Sequence, residues 1–337
     1  MTVSQPAPER LIKADGQPHY GHFDGMPKQF GIEQFDYRNN MDRRIGSVGK
    51  YFHYKQFQFV SIVTPRYVIG IAIADIRYLG SSFCYLYDRD NDTLVEQSWL
   101  RPLMIDKQMS PSCYSGTTSI AAGKLQFIIE QGRWRIKAAS RHVQLDIELH
   151  SPTDSLPLSV ATPTGYSGWT YTQKHNALSV TGTLQVDGKA VDLNEALAGY
   201  DFSAGYMRRE TSWRWASINA RSDQKTLGLN LAAGVNETGS GENVLWVNGQ
   251  RHLLSPVHFQ FSRQQVNSPW QIYSDDKQVE LTFTPLNQRS EKLNLWLLKS
   301  NFRQFIGHFS GVITDNDGQK HQLDSVLGLT EDHYAKW

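Results

Sequence analysis

Short β-type patterns recur along this chain at a nearly constant offset. "WRI" at 134–136 and "WQI" at 270–272 lie 136 residues apart, and "VQLDI" at 143–147 and "VELTF" at 279–283 keep that offset. "VTGTLQVDG" (180–188) parallels "FSGVITDNDG" (309–318) with one residue inserted, and "LNEALAGYD" (193–201) parallels "LDSVLGLTE" (323–331). Upstream, "VIGIAIADI" (68–76) parallels "LGLNLAAGV" (227–235). Ordered matches over most of two halves point to duplication of one β unit, and two copies exclude a propeller or a solenoid. Each copy has room for about eight or nine short strands, the number that closes a barrel or a flattened sandwich.

Period-two alternation supports this. "YFHYKQFQFVSIV" (51–63), "YVIGIAIADI" (67–76), "SSFCYLYD" (81–88), "LQFIIEQ" (125–131), "RWRIKAAS" (133–140) and "VQLDIELH" (143–150) read as strands. Asp187-Gly188, Asn248-Gly249 and Asp317-Gly318 sit between apolar-periodic flanks and suit tight hairpins. Helical signal is confined to "DLNEALAG" (192–199), with Asp192 as N-cap and Gly199 as stop. The first 45 or so residues are irregular and Gly-rich, yet Phe23, Phe30, Phe35 and Tyr37 make them too apolar for a free tail. The expected organisation is an arm or cover over 1–45, a first β domain over 46–200 and a second over 201–337.

Composition excludes several function classes. With 34 basic and 33 acidic residues the net charge is +1, so no global field draws nucleic acid or anionic membranes. No run approaches the roughly 18 apolar residues of a membrane span, and the N-terminus lacks the order of a secretory signal. Two cysteines, Cys84 and Cys113, fit a reducing compartment, so a cytoplasmic protein is expected. Cys84 alternates in a strand and reads as packed, whereas Cys113 in "SPSCYSG" has an exposed-loop context without an identifiable base. His19 and His22 have metal-ligand spacing but no second pair, and "GTTSIAAGK" (116–124) departs from a phosphate loop in spacing and in its final residue. No metal and no cofactor are expected.

Four stretches carry a resemblance: "YDFSAGYMRRETSWRWAS" (200–217), "LGLNLAAGVNETGSGENVLWVNG" (227–249), "FRQFIGHFSG" (302–311) and "LGLTEDHYAKW" (327–337). They resemble the family labelled domain of unknown function 2804, with a looser match through "YVIGIAIADIRYLG" (67–80). By architecture that family is similar to double-calycin proteins such as carotenoid 1,2-hydratase, AttH-type lipocalin-like domains and some fungal lipocalin-like cyclases. The resemblance implies an all-β fold of two tandem lipocalin-like antiparallel barrels with a ligand cavity within or between them. It supplies no reaction.

The candidate site centres on residues 200–217. In continuous strand geometry Tyr206, Arg208, Glu210, Ser212 and Arg214 share one face, and Met207, Arg209, Thr211, Trp213 and Trp215 share the other. One reading is a half-exposed strand with paired charges. The other has Asp201 and Arg209 lining a closed cavity with the tryptophans. Asn230, Asn236, Glu237, Glu242 and Asn243 surround a Gly-rich bend that is either ordinary hairpin chemistry or a mouth loop. Near the end of the chain, Glu331 and His333 either dock a final strand or bring Glu331 opposite Asp201, where crowding would raise one carboxyl pKa and make a general acid. The functional expectation is a binder of a small apolar or amphipathic molecule in or between the barrels. Its alternative is a cofactor-independent hydratase, isomerase or cyclase acting on a lipid- or terpenoid-like substrate with Asp201 or Glu331 as the acid.

Overall fold

The computed structural model describes residues 4–222, 225–235, 240–295 and 298–337. They form two compact units: the first comprises Ser4–Ser151 and Pro157–Met207, the second Pro152–Leu156 and Arg208–Trp337. Among the described residues, no helix is long and apolar enough to cross a membrane.

The main strands of the first unit are β1 (Lys55–Val63), β2 (Tyr67–Asp75), β3 (Leu79–Asp88), β4 (Thr93–Pro102), β5 (Ser115–Ile120), β6 (Leu125–Glu130), β7 (Arg133–Ala139), β8 (Val143–His150), β9 (Leu158–Thr164), β10 (Gly168–Val186) and β11 (Leu197–Gly205). Those of the second are β12 (Glu210–Ser222), β13 (Lys225–Ala233), β14 (Val244–Val247), β15 (Gln250–Leu253), β16 (Val257–Gln260), β17 (Trp270–Ser274), β18 (Val279–Leu295), β19 (Leu298–Thr314) and β20 (Lys320–Lys336). The first sheet runs β4-β3-β2-β1-β11-β10-β8-β7-β6-β5, with β9 on the free half of β10. The second runs β15-β14-β13-β12-β20-β19-β18-β17-β16. Apart from β5, which the second sheet lacks among the described residues, the order is the same, which is the duplication that the offset patterns predict. Both sheets are antiparallel along these paths and curl: β2 packs against β5, and β13 against β16.

The repeat extends to one backbone kink. Gly182 in β10 and Gly311 in β19, matched in the aligned stretches, have φ of +119° and +133°. A Cβ there would lie 2.2 Å from the Asp146 carbonyl oxygen and 2.1 Å from that of Glu280, so both strands need glycine where they bend across their neighbours.

Strands away from the centre alternate as their sequence does. In β7, Trp134, Ile136 and Ala138 point into the core while Arg133, Arg135 and Lys137 point away. Central strands β1 and β2 are buried on both faces; β2 runs nearly continuously apolar, whereas β1 also buries Gln56, Gln58 and Ser61. Phe23, Phe30 and Phe35 from the N-terminal stretch join the first core, where Phe30 packs on Trp169, Tyr171 and Phe202.

Three local expectations are corrected. Residues 192–199 are not helical: Asp192 caps a turn by accepting from the Asn194 N–H, and β11 begins at Leu197. The α-helix is instead Ser47–His53, so 51–53 belong to it and not to the following strand. Residues 206–209 leave the sheet between β11 and β12, so the two-face pattern holds only from Glu210 onward.

Candidate functional site

One row of inward side chains crosses six strands of the first barrel: Ser82, Ile73, Gln58, Phe202, Gln173 and Ser159 are successive cross-strand partners. Inward direction follows from Val60, Ile71 and Tyr200, which take the same register and belong to the core. Two of its four polar members, Ser159 and Gln173, are linked. Ser159 Oγ and the Tyr171 hydroxyl are 2.8 Å apart, Tyr171 donates to Gln173 Oε1 at 3.0 Å, and Gln173 Nε2 donates to the Tyr200 hydroxyl at 2.7 Å. Burial raises the pKa of both phenols, so this network is uncharged at neutral pH.

The other two, Gln58 and Ser82, have no side-chain hydrogen-bond partner among the described residues. Gln58 is fully buried, and neither its amide oxygen nor its amide nitrogen has a hydrogen-bond partner among the described residues. The same holds for Ser82 Oγ and for the indole Nε1 of Trp134, whose ring stacks on Tyr200 at 4.5 Å. An unmet buried polar group costs about 1–3 kcal/mol. Such groups within one barrel interior are the kind that an ordered water or a bound molecule satisfies.

Cys113 is fully buried here, against the exposed-loop expectation. Its Sγ lies 3.4 Å from the Tyr171 hydroxyl, and burial pushes the thiol up to about 12. It is a packed thiol and not a nucleophile at neutral pH.

Asp201 points to the opposite side of β11, where Lys174 Nζ donates to it at 2.5 Å and Ser203 Oγ at 3.1 Å. Tyr206 closes an aromatic cluster with Phe35, Tyr37, Tyr54 and Trp169, and burial pushes its hydroxyl up to about 12.

In the second unit, three sequence candidates do converge. Trp213 Nε1 donates to Glu331 Oε1 at 2.8 Å, Gln304 Nε2 donates to Glu331 Oε2 at 3.3 Å, and the Trp213 ring lies 4.2 Å from that of His333. His333 Nδ1 is 3.5 Å from Glu331 Oε1, and its Nε2 is 3.0 Å from Ser300 Oγ. Trp215 Nε1 donates to Asn230 Oδ1 at 2.7 Å, and Asn230 Nδ2 to the Glu242 carbonyl, so this Asn ties a strand to the bend. Glu210 pairs with the Tyr334 hydroxyl and Lys336, not with Arg208 or Arg214. Arg208 donates to the Gly234 carbonyl, and the Arg209 carbonyl accepts from the Trp337 N–H. Asn236 and Glu237 lie outside the described residues.

Among the described residues one trio has ligand atoms close enough for a metal: His252, Asp315 and Asp317. Asp315 is already engaged by His321 Nε2 at 2.7 Å and by the backbone N–H groups of Asp317 and Gln319, as in a hairpin turn.

Sequence reasoning missed Gln58, Ser82, Gln173 and Trp134. The signal in "KQFQFV" was ambiguous: Gln58 shares its register with Val60 and Ile62, but Phe57 and Phe59 mark the other register as apolar too.

A family profile matches residues 12–337. The chain belongs to the family described as Domain of unknown function (DUF2804). No curated protein matches it in sequence. Among solved structures it is similar to an AttH protein from Nitrosomonas europaea (13% identity, 83% of this chain and 92% of that one, TM-score 0.51). It is similar also to CghA solved with Sch210972 (8%, 84% and 88%, TM-score 0.50) and to kievitone hydratase from Nectria haematococca (11%, 83% and 88%, TM-score 0.48). At such identities the likeness speaks for fold alone: two tandem lipocalin-like barrels.

Proposed function

We propose that this protein binds a small amphipathic molecule inside its first β-barrel, with an uncharged polar group of the ligand seated on Gln58. The observation that carries this reading is the fully buried Gln58 amide without a protein partner, in one row with Ser82. A ligand carbonyl or hydroxyl meets an amide N–H or C=O at full strength in such surroundings, while the apolar wall of Ile71, Ile73 and Phe202 takes its hydrocarbon part. An ionised ligand group would meet no counter-charge from the Tyr171–Gln173–Tyr200 network and is disfavoured. CghA, of the same fold class, was solved with a small molecule, Sch210972. Both cysteines are free and buried, in keeping with a reducing compartment, and we place the protein in the cytoplasm.

Native mass spectrometry of the protein purified from its own host, followed by denaturing extraction, tests the reading. A stoichiometric neutral amphipathic compound on the wild type, diminished on Gln58→Leu, supports it. Equal loading of both proteins, or none on either, removes it.

His333 between Ser300 Oγ and Glu331 favours a second reading, in which the second unit moves a proton on a substrate. A carboxylate, an imidazole and a hydroxyl in sequence can relay one. Glu331→Gln would then leave binding of the extracted compound intact while its turnover collapses. A pure binder shows no turnover to lose.

A further inference from the structure

The second barrel carries three arginines around one carboxylate on its inner face. Arg214, Asp332 and Arg303 are direct cross-strand partners on β12, β20 and β19. The next inward row, Ala216, Thr330 and Phe305, belongs in part to the apolar core. Arg263, beyond the end of β16, reaches Asp332 with a two-point contact, Nε at 2.8 Å and Nη2 at 2.7 Å. That geometry satisfies the carboxylate, which is only 7% exposed. The other two guanidinium groups stand further off: Arg214 Nε at 3.7 Å and Arg303 Nη1 at 3.9 Å. Neither makes a hydrogen bond with any described residue, although the Arg303 side chain is only 16% exposed.

Two positive charges are therefore in excess at this position, in a chain whose overall net charge is +1. The guanidinium nitrogens of Arg214 and Arg303 stay open to solvent, so a ligand oxygen can reach the N–H donors that Asp332 leaves free. A second feature points to the same place. Thr330 Oγ1, in the adjacent row, is fully buried and has no hydrogen-bond partner among the described residues. Donors of fixed planar geometry, an excess of two charges and an unpartnered hydroxyl are what an oxygen-bearing dianion requires.

We infer that the inner face of the second barrel is an anion site, built by Arg214, Arg303 and Arg263 and taking a small dianion such as a phosphate monoester or a dicarboxylate. Asp332 holds Arg263 in place and keeps the three cations together when no ligand is bound. Phe261, stacked on Trp270 at 4.0 Å and lying under the Arg263 guanidinium at 5.4 Å, stiffens one side of the cluster. This site uses no residue of the first barrel and stands or falls independently of what that barrel holds.

Titration calorimetry of the full chain with inorganic phosphate and with succinate, at low and at moderate salt, is the test. The expected result is one equivalent of at least one dianion, with affinity falling as salt rises and falling about tenfold or more in Arg303→Gln. Arg214→Gln, at the more exposed arginine, carries the same expectation should Arg303→Gln not fold. Thr330→Val, which keeps the side-chain shape, should weaken binding by about threefold to tenfold. No binding of either dianion up to about 10 mM at low salt, where such sites hold their ligands most strongly, overturns the inference. So does an affinity that neither arginine variant changes.

Discussion

Trp134 and Tyr200 stack face to face in the first barrel, with ring centroids 4.5 Å apart and planes 16° from parallel. Their strands, β7 and β11, are three steps apart along the hydrogen-bonded path, about 14 Å if the sheet were flat. The contact is thus made by curvature, across the interior. Tyr200 is also the last member of the Ser159–Tyr171–Gln173 network, so the stack joins the aromatic lining to the polar row beside Gln58.

Gln58→Leu should separate binding from stability. Removing two unmet polar atoms from a fully buried side chain should stabilise the ligand-free protein by about 1 kcal/mol, measured by urea unfolding. A loss of 2 kcal/mol or so would mean that the amide has protein partners in solution, against the arrangement described.

The buried pair Lys174–Asp201 should behave as structure. Asp201→Asn removes the carboxylate charge that the nearly buried Lys174 ammonium contacts and should cost about 3 kcal/mol in unfolding experiments. Lys174→Met with Asp201→Leu should recover most of that loss. A single variant of unaltered stability would restore Asp201 as a candidate acid.

Glycine substitutions should differ sharply in cost. Gly182→Ala and Gly311→Ala each drive a Cβ against a neighbouring carbonyl at positive φ, and each should destabilise its unit by about 3 kcal/mol. Gly188→Ala, at φ +75° in an open hairpin turn, should cost only about 1 kcal/mol. Thermal unfolding of the three variants side by side checks the ranking.

Acid should loosen the hairpin end of the first barrel. Hydrogen bonds from Arg66, then from Asn91, lower the Asp88 carboxyl from 3.8 to about 2. Because the folded value is depressed, its stabilisation is fully present above the unfolded value near 4 and is lost as pH falls towards 2. With Arg66 half exposed, the contribution should be no more than about 1 kcal/mol. Arg66→Ala should flatten the stability profile between pH 4 and 2, and an unchanged slope there would count against the pair.

Much of the fold was legible. The offset between "WRI" and "WQI", and between "LNEALAGYD" and "LDSVLGLTE", anticipated β7 with β17 and β11 with β20 as equivalent strands. Asp187-Gly188 and Asn248-Gly249 turned as their residues require, each with both φ values positive. The helical reading of 192–199 failed because tertiary pairing of β11 with β1 and β10 overrode a weak local signal. In the site, sequence reasoning reads Trp213 with Asp201 and Arg209, and Glu331 with Asp201. What brings Trp213, Glu331 and His333 together is the register of β12 with β20, and sequence reasoning does not set Lys174, 27 residues from Asp201, beside it.

The sequence by itself determined that this chain builds one β unit twice, because strand periodicity and turn chemistry are local properties that survive in a linear reading. For the central strands, which face turns inward was decided only by the tertiary structure. In "KQFQFV" a period of two fits either choice, and Phe57 and Phe59 argue for the face that in fact points away from Gln58. The rows that matter, Ser82 to Ser159 in one barrel and Arg214 to Arg303 in the other, join residues far apart in the chain through cross-strand register. A polar group without a partner is a property of its surroundings, and those exist only once the sheet has curled.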